Sequence, residues 1–195
     1  LESVNTLFYN ISFINNIATL DGGAIVSYGE VITSDSYQET VEMKLSLSHC
    51  SFSHNICQRK GGAFFSNSVT QLFVKDVYFF NNSAAYGGAI STTQTSGNIT
   101  HSLFYNNTAT YGGGGIYWVY ESGGQILTVD NSCKSFGNNA IYGPLKATNV
   151  YKLVASRNID SEENSGSQIQ NPIFIEMRDY YNQIVVADST SGSTG

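Results

Sequence analysis

The chain is short of charge. Asp, Glu, Lys and Arg make up 12% of its 195 residues, about half the share usual in soluble domains. The net charge is −6 with only 9 Lys and Arg, so no basic stripe exists and a nucleic-acid partner is not expected. Long apolar runs are missing as well. None approaches the roughly 18 residues of a membrane-spanning helix. A helical period is also absent between the glycines, where short β-rich runs alternate with turn residues. The first residue is Leu1 rather than Met, with no signal-peptide pattern, so a processed or partial chain is expected. Aromatics, at 13%, are too plentiful for a disordered chain.

What fills the space is a repeated stretch. Its clearest copy is Phe79-Phe80-Asn81-Asn82-Ser83-Ala84, followed by Gly87-Gly88-Ala89-Ile90. Others start at Phe13, Phe52 and Phe104, and a worn copy starts at Phe136, where only Gly143 is left of the glycine pair. The steps from Phe to Phe are 39, 27, 25 and 32 residues. A recurrence in this range signals a solenoid in which each repeat is one coil. Three short strands and three turns per coil describe an all-β fold, a parallel β-helix. Residues 1–158 are assigned to it, with Gly29–Thr40 as an excursion and Gly143–Asn158 as a degenerate last coil. Residues 159–171 read as a linker. Residues 172–188 alternate, turn and alternate again, the signature of a C-terminal β-hairpin. Residues 189–195 read as a loose tail.

Stacked coils put like residues about 4.8 Å apart in vertical files. Phe13, Phe52, Phe79, Phe104 and Phe136 are expected to form an aromatic stack in the core. Asn16, Asn55, Asn82, Asn107 and Asn139 are expected to pass amide hydrogen bonds from coil to coil, since a buried amide must be satisfied. Gly-Gly allows a turn with φ > 0. The preceding asparagines then point outward. Asn81 and Asn106 lie in Asn-x-Ser/Thr triplets, as do Asn10 and Asn98, which makes these four the candidates for N-glycosylation. Cys50 and Cys57 share a coil, with a disulfide across one corner or buried inert thiols as the two readings. Cys133 is three coils away, about 14 Å, beyond the ~7 Å Cα limit for a bridge.

Phe-x-x-Asn followed by Gly-Gly-Ala-Ile, as at Phe79–Asn82 and Gly87–Ile90, resembles the repeats of chlamydial polymorphic outer-membrane proteins. Those are right-handed β-helix passengers of surface adhesins. The repeats also resemble those of large ciliate surface proteins of the pectin-lyase-like class, and Asp179-Tyr180-Tyr181-Asn182-Gln183-Ile184-Val185 looks like a segment that follows the β-helix there. The repeat resemblance covers about residues 7–145, and the likeness of the tail segment favours a protist source. The resemblance implies a right-handed coil and an extracellular or cell-surface role in structure and adhesion. It brings no catalytic residues.

β-Helices also host polysaccharide lyases and hydrolases, so the residues must decide. Glycosidases need paired carboxylates about 5–10 Å apart. Here the acids are scattered; Asp76 and Asp130 alone might share a file, two coils apart. His49, His54 and His101 lack metal spacing and read as surface polar residues. Trp118, with Tyr117 and Tyr120, is either a sugar platform or a core and surface strip. The expectation is a non-enzymatic structural protein with no metal and no cofactor. It self-associates head to tail through the solenoid ends or the 172–188 hairpin, into a filament or coat, and carries glycans. The alternative is a carbohydrate-binding or carbohydrate-active β-helix protein.

Overall fold

A computed structural model describes residues 3–29, 31–34, 37–40, 42–69, 71–121, 126–155 and 174–186. Its elements are all strands, with no helix among the described residues. The linker 159–171 and the tail 189–195 lie outside them. So do both ends of the hairpin, residues 172, 173, 187 and 188.

The strands stack in four parallel sheets. The first holds Ser3–Tyr9, Glu42–Ser48, Gln71–Lys75, Ser96–Thr100 and Leu127–Val129. The second holds Ser12–Ile14, Ser51–Ser53, Tyr78–Phe80, Leu103–Tyr105 and Lys134–Phe136. Ile17–Ala18, Ile56–Cys57, Ser83–Tyr86 and Thr108–Gly112 make the third; Ile25–Tyr28, Phe64–Asn67, Ile90–Thr93, Ile116–Val119 and Lys146–Thr148 make the fourth. Five coils result, with four strands in each of the first four rather than the three expected. The extra strand is the stretch between the Asn and the Gly pair. It reads as a turn in one coil, but in a stack it pairs with its own equivalents, Ser83 with Ile56 and Thr108. The excursion after Gly29 is an antiparallel hairpin, Val31–Ser34 with Tyr37–Thr40.

The core is the set of vertical files. Phe13, Phe52, Phe79 and Phe104 stack with centroids 4.7, 5.1 and 4.9 Å apart and planes within 11°. The rung spacing of about 4.8 Å leaves ring thickness as the only freedom, so the rings lie parallel. Beside them runs the amide ladder. The N–H and Nδ2 of Asn16 donate to Asn55 Oδ1, those of Asn55 to Asn82 Oδ1, and those of Asn82 to Asn107 Oδ1, at 2.8–3.0 Å. The second Nδ2 hydrogen goes to the Phe carbonyl of the coil before: Asn55 to Phe13, Asn82 to Phe52, Asn107 to Phe79. Asn55, Asn82 and Asn107 are fully buried, and each exposes no unsatisfied amide hydrogen to the core.

The ladder ends on Asn138, not on Asn139. Asn107 N–H and Nδ2 both donate to Asn138 Oδ1 at 2.9 Å. The cause is one extra residue at the corner after Leu127–Val129. Ile99 pairs with Val129, but Phe104 pairs with Ser135 and Tyr105 with Phe136. A slip of one residue turns a side chain to the opposite face. Phe136 therefore leaves the core stack and stands outside, 57% exposed, in the file of Phe80 and Tyr105.

The residue before each ladder Asn is left-handed: Asn15, His54, Asn81, Asn106 and Gly137 have φ of 52–64°. The corner one strand earlier repeats this at Asn10, His49, Asp76 and His101, with φ of 48–55°. Asn, Asp and His tolerate that region better than other residues with a Cβ. This accounts for all three histidines as corner residues.

The glycine pair does two jobs. Gly87 has φ +65°, and its neighbour Gly88 has no room for a side chain, since a Cβ there would sit 2.3 Å from the Gly114 carbonyl oxygen of the next coil. The same holds down the file, Gly23 against Gly62 and Gly62 against Gly88. In the last coil Gly143 keeps φ +62° while the second place is Pro144, which is exposed. Among the described residues no coil stacks below it, so a ring is tolerated there.

The solenoid thus ends at Thr148. Of the expected degenerate coil, Lys146–Thr148 joins the fourth sheet, while Val150–Ala155 leaves the stack and pairs antiparallel with Ile175–Asp179. That second strand is also the first arm of the expected hairpin, whose turn runs through Tyr180–Asn182 and whose return is the bridge from Arg178 to Ile184.

Replacing Asn82 by Ala strands two donors of Asn55 and the carbonyl of Phe52. At about 1–3 kcal/mol per buried unsatisfied group, we expect a loss of at least about 3 kcal/mol. Asn81→Gly, one residue away, keeps the left-handed turn and is expected to change stability by less than about 0.5 kcal/mol. Urea unfolding of the two variants checks the contrast.

Candidate functional site

Two places outside the repeating core carry concentrated chemistry: a corner groove and the C-terminal cap.

The groove follows the corner of His49, Asp76 and His101. It encloses about 360 Å³ and is lined by Asp76, Tyr78, His101, Ser102, Leu103, Ser132 and Lys134. His49 Nε2 lies 3.8 Å from Asp76 Oδ2. Ser132 Oγ accepts the His101 N–H at 2.8 Å. The Ser132 N–H donates to Asp130, which with nearby His101 holds that carboxyl below its usual range. Asp130 does not share the Asp76 file: Asp76 N–H bonds Thr100 O, while Asp130 N–H bonds Ile99 O, one position earlier. No three His, Cys, Asp or Glu side chains form a metal-binding group among the described residues.

The cap is built from aromatics and one buried acid. Trp118 is 1% exposed, and its Nε1 donates to Tyr181 Oη at 2.9 Å. Tyr180 packs against Trp118, Tyr120 and Tyr151 with centroids 5.4–5.5 Å away. Lys146 Nζ sits 4.5 Å from the centre of the Tyr181 ring. Trp118 and Tyr117 are therefore core residues under the cap, and the sugar-platform reading of that strip is overturned.

Asp179, with 0% exposure, accepts from Gln183 N–H at Oδ1 and from Thr148 N–H and Gln183 Nε2 at Oδ2. Tyr180 N–H donates to Thr148 Oγ1, and Gln183 Nε2 to Lys146 O. The hairpin turn is thus fastened to the last coil of its own solenoid. Beside it, Tyr86, Tyr117, Tyr142, Asn149, Val150, Met177, Val185 and Val186 line a cleft of about 210 Å³. The Tyr142 ring lies over Gly112, where a Cβ would meet it at 2.6 Å. Tyr142 Oη donates to Thr148 O at 3.0 Å. Burial, first of all, pushes the Tyr142 phenol up to about 12 and raises Tyr117 still further.

The sulfurs do not meet. All three cysteines are free thiols, which removes the Cys50–Cys57 bridge. Cys50 Sγ turns to the carbonyls of Phe8 and Ser48, Cys57 Sγ to that of Lys60. The strand Ser51–Ser53 separates the two corners. Burial raises the Cys57 and Cys133 thiols above their ordinary value, which disfavours the reactive thiolate.

The four sequons stand on the outside. Asn10, Asn98 and Asn106 are exposed; Asn81 is half-buried, its Nδ2 3.2 Å from His54 Nε2. Asn81 and Asn106 stack on adjacent coils, Asn81 N–H donating to Tyr105 O.

The buried tyrosines predict an alkaline transition. Because Tyr142 titrates at about 12 in the folded chain against 10.0 for the ordinary phenol, the folded state holds its proton longer. The contribution of Tyr142 to stability should be constant below pH 10 and be lost as pH rises from 10 to 12. Tyr142→Phe should flatten that fall. Denaturant midpoints across the range, with tyrosinate absorbance, check it.

No curated protein and no solved structure matches the chain. The description "Chlamydia polymorphic membrane protein repeat" belongs to a family model that matches residues 10–28, 76–93 and 101–117. Each match opens at a left-handed corner residue, Asn10, Asp76 or His101, and closes within or at the end of a fourth-sheet strand. Each match thus spans the second-, third- and fourth-sheet strands of one coil, and coils one, three and four are similar to the Chlamydia polymorphic membrane protein repeat there.

Proposed function

We propose that the chain is a non-catalytic scaffold of a cell surface, extracellular and adhesive. The observation that carries this reading is the coincidence of the three repeat matches with structurally equivalent spans of the coil. The repeat takes its name from membrane proteins, and its defining residues are spent on stacking: the ladder asparagines, the core phenylalanines and the glycine pair. What varies is the outward face, which is where a surface protein meets its surroundings. N-linked glycans at Asn10, Asn98 and Asn106 fit this reading, since those side chains are exposed. Asn81 is the weaker acceptor of its pair because its amide is engaged by His54.

The corner groove supports a second reading, carbohydrate binding. Asp76, His101, Ser132 and Lys134 offer both acceptors and donors beside the ring of Tyr78, the mixed lining of a site for a neutral polar ligand.

Antibody against the chain should label intact source cells, and protease treatment of those cells should remove the label. Labelling only after permeabilisation contradicts the surface reading. A glycan array run with the chain and with Asp76→Ala decides the second: binding lost at least about tenfold in the variant supports the groove, and no binding by either removes it.

A further inference from the structure

Three separate segments bring three phenols together on the cap. Tyr120 follows the strand Ile116–Val119, Tyr151 lies on Val150–Ala155, and Tyr180 opens the hairpin turn. The ring centroids are 4.8 Å apart for Tyr120 and Tyr151, 5.5 Å for Tyr120 and Tyr180, and 5.4 Å for Tyr151 and Tyr180. Aromatic rings at these distances are in contact, so the cluster has no gap for a ligand. Contact does favour a covalent bond between two of its members.

The tyrosines differ in access. Tyr151 and Tyr180 are 44% and 39% exposed. Of the tyrosine pairs in ring contact among the described residues, this one alone has both rings exposed. Tyr117 and Tyr142 are buried, and Tyr181 Oη holds the Trp118 indole. The exposed Tyr9, Tyr28 and Tyr105 lie against His49, Phe65 and Phe80 rather than against another phenol. The sulfurs supply no staple, since all three cysteines are free, although oxidising surroundings ordinarily select disulfides.

We propose that Tyr151 and Tyr180 are an oxidative cross-linking site, joined as dityrosine by a haem peroxidase and hydrogen peroxide. The peroxidase takes one electron and the phenolic proton from each side chain. The two radicals join through a carbon ortho to each hydroxyl. Each of those carbons then gives up its proton, and each oxygen regains one, which restores both aromatic rings. In sum, two phenols and one hydrogen peroxide give one dityrosine and two waters. Tyrosine's terminal torsion is broad and two-fold, so a ring flip presents either ortho carbon to the partner. A neighbour held in contact acts at an effective concentration of at least about 1 mM, about a thousandfold above a micromolar solution of other chains. The bond therefore forms within one chain and ties Val150–Ala155 to the hairpin turn. The inference goes beyond the scaffold reading and draws on it only for the oxidising surroundings. Its test uses the purified chain, so its failure leaves the cell-labelling experiment untouched, and the reverse.

Treatment of dilute residues 1–195 with a haem peroxidase and hydrogen peroxide tests it. The monomer fraction is expected to gain the blue fluorescence of dityrosine. Trypsin should then release the peptide 147–152 joined to the peptide that begins at Asp179, at the summed mass less two hydrogen atoms, with fragment ions placing the bond on Tyr151 and Tyr180. Tyr151→Phe and Tyr180→Phe should each lose the joined pair, and Tyr28→Phe, an exposed tyrosine elsewhere, should keep it. Circular dichroism checks that each variant is folded, and the peptide map of the parent chain stands without them. Dityrosine found only between chains, a bond mapped to other tyrosines, or no dityrosine in the monomer overturns the proposal.

Discussion

A buried column of amides governs this molecule. Asn55, Asn82 and Asn107 each donate twice to the Asn of the next coil and once to the Phe carbonyl of the coil before. Such an arrangement tolerates one spacing and one register. A buried amide left unpaired costs about 1–3 kcal/mol, so every coil is held to its neighbours at about 4.8 Å. The other regularities follow from that repeat. Rings of Phe52, Phe79 and Phe104 lie parallel because identical rotamers are imposed on identical positions. The second glycine of each pair loses its Cβ because the carbonyl of the next coil occupies the space. Corners accept Asn, Asp and His because the chain must turn left-handed before each strand begins.

Much of this is legible in the residues alone, because a column of like side chains appears in the sequence as a period. The Phe and Asn files of the first four coils, the outward asparagines beside them and the glycine turns can all be read from spacing. The last coil misleads, since two candidates, Asn138 and Asn139, lie side by side and the nearest Phe suggests the wrong one. Gly137 is the better guide: the left-handed turn before a ladder Asn is the position that a glycine can fill without strain. Ser135 in the Phe file and Pro144 in the glycine file mark the last coil of the stack. The third-sheet strand escapes sequence reading because two to five residues show no alternation of their own. The docking of Tyr180, Tyr181 and Gln183 onto Thr148 and Trp118 links segments far apart in sequence, and nothing local announces it.

The division of labour between inside and outside bears on function. The conserving force of the stack acts on inward files, and the outward ones are free to differ from coil to coil. Tyr78, Phe80, Tyr105 and Phe136 on one outer face, the Asp76–His101–Lys134 groove at its edge and the sequons around it are variable decoration on a fixed rod.

Hydrogen exchange of the side-chain amides, followed by NMR, tests the central constraint most directly. If the ladder organises the stack, the Nδ2 hydrogens of Asn55, Asn82 and Asn107 exchange only with global unfolding, as slowly as the most protected backbone amides, while those of Asn98 and Asn106 exchange freely. Rapid exchange at Asn55, Asn82 and Asn107 in the folded chain would contradict the account.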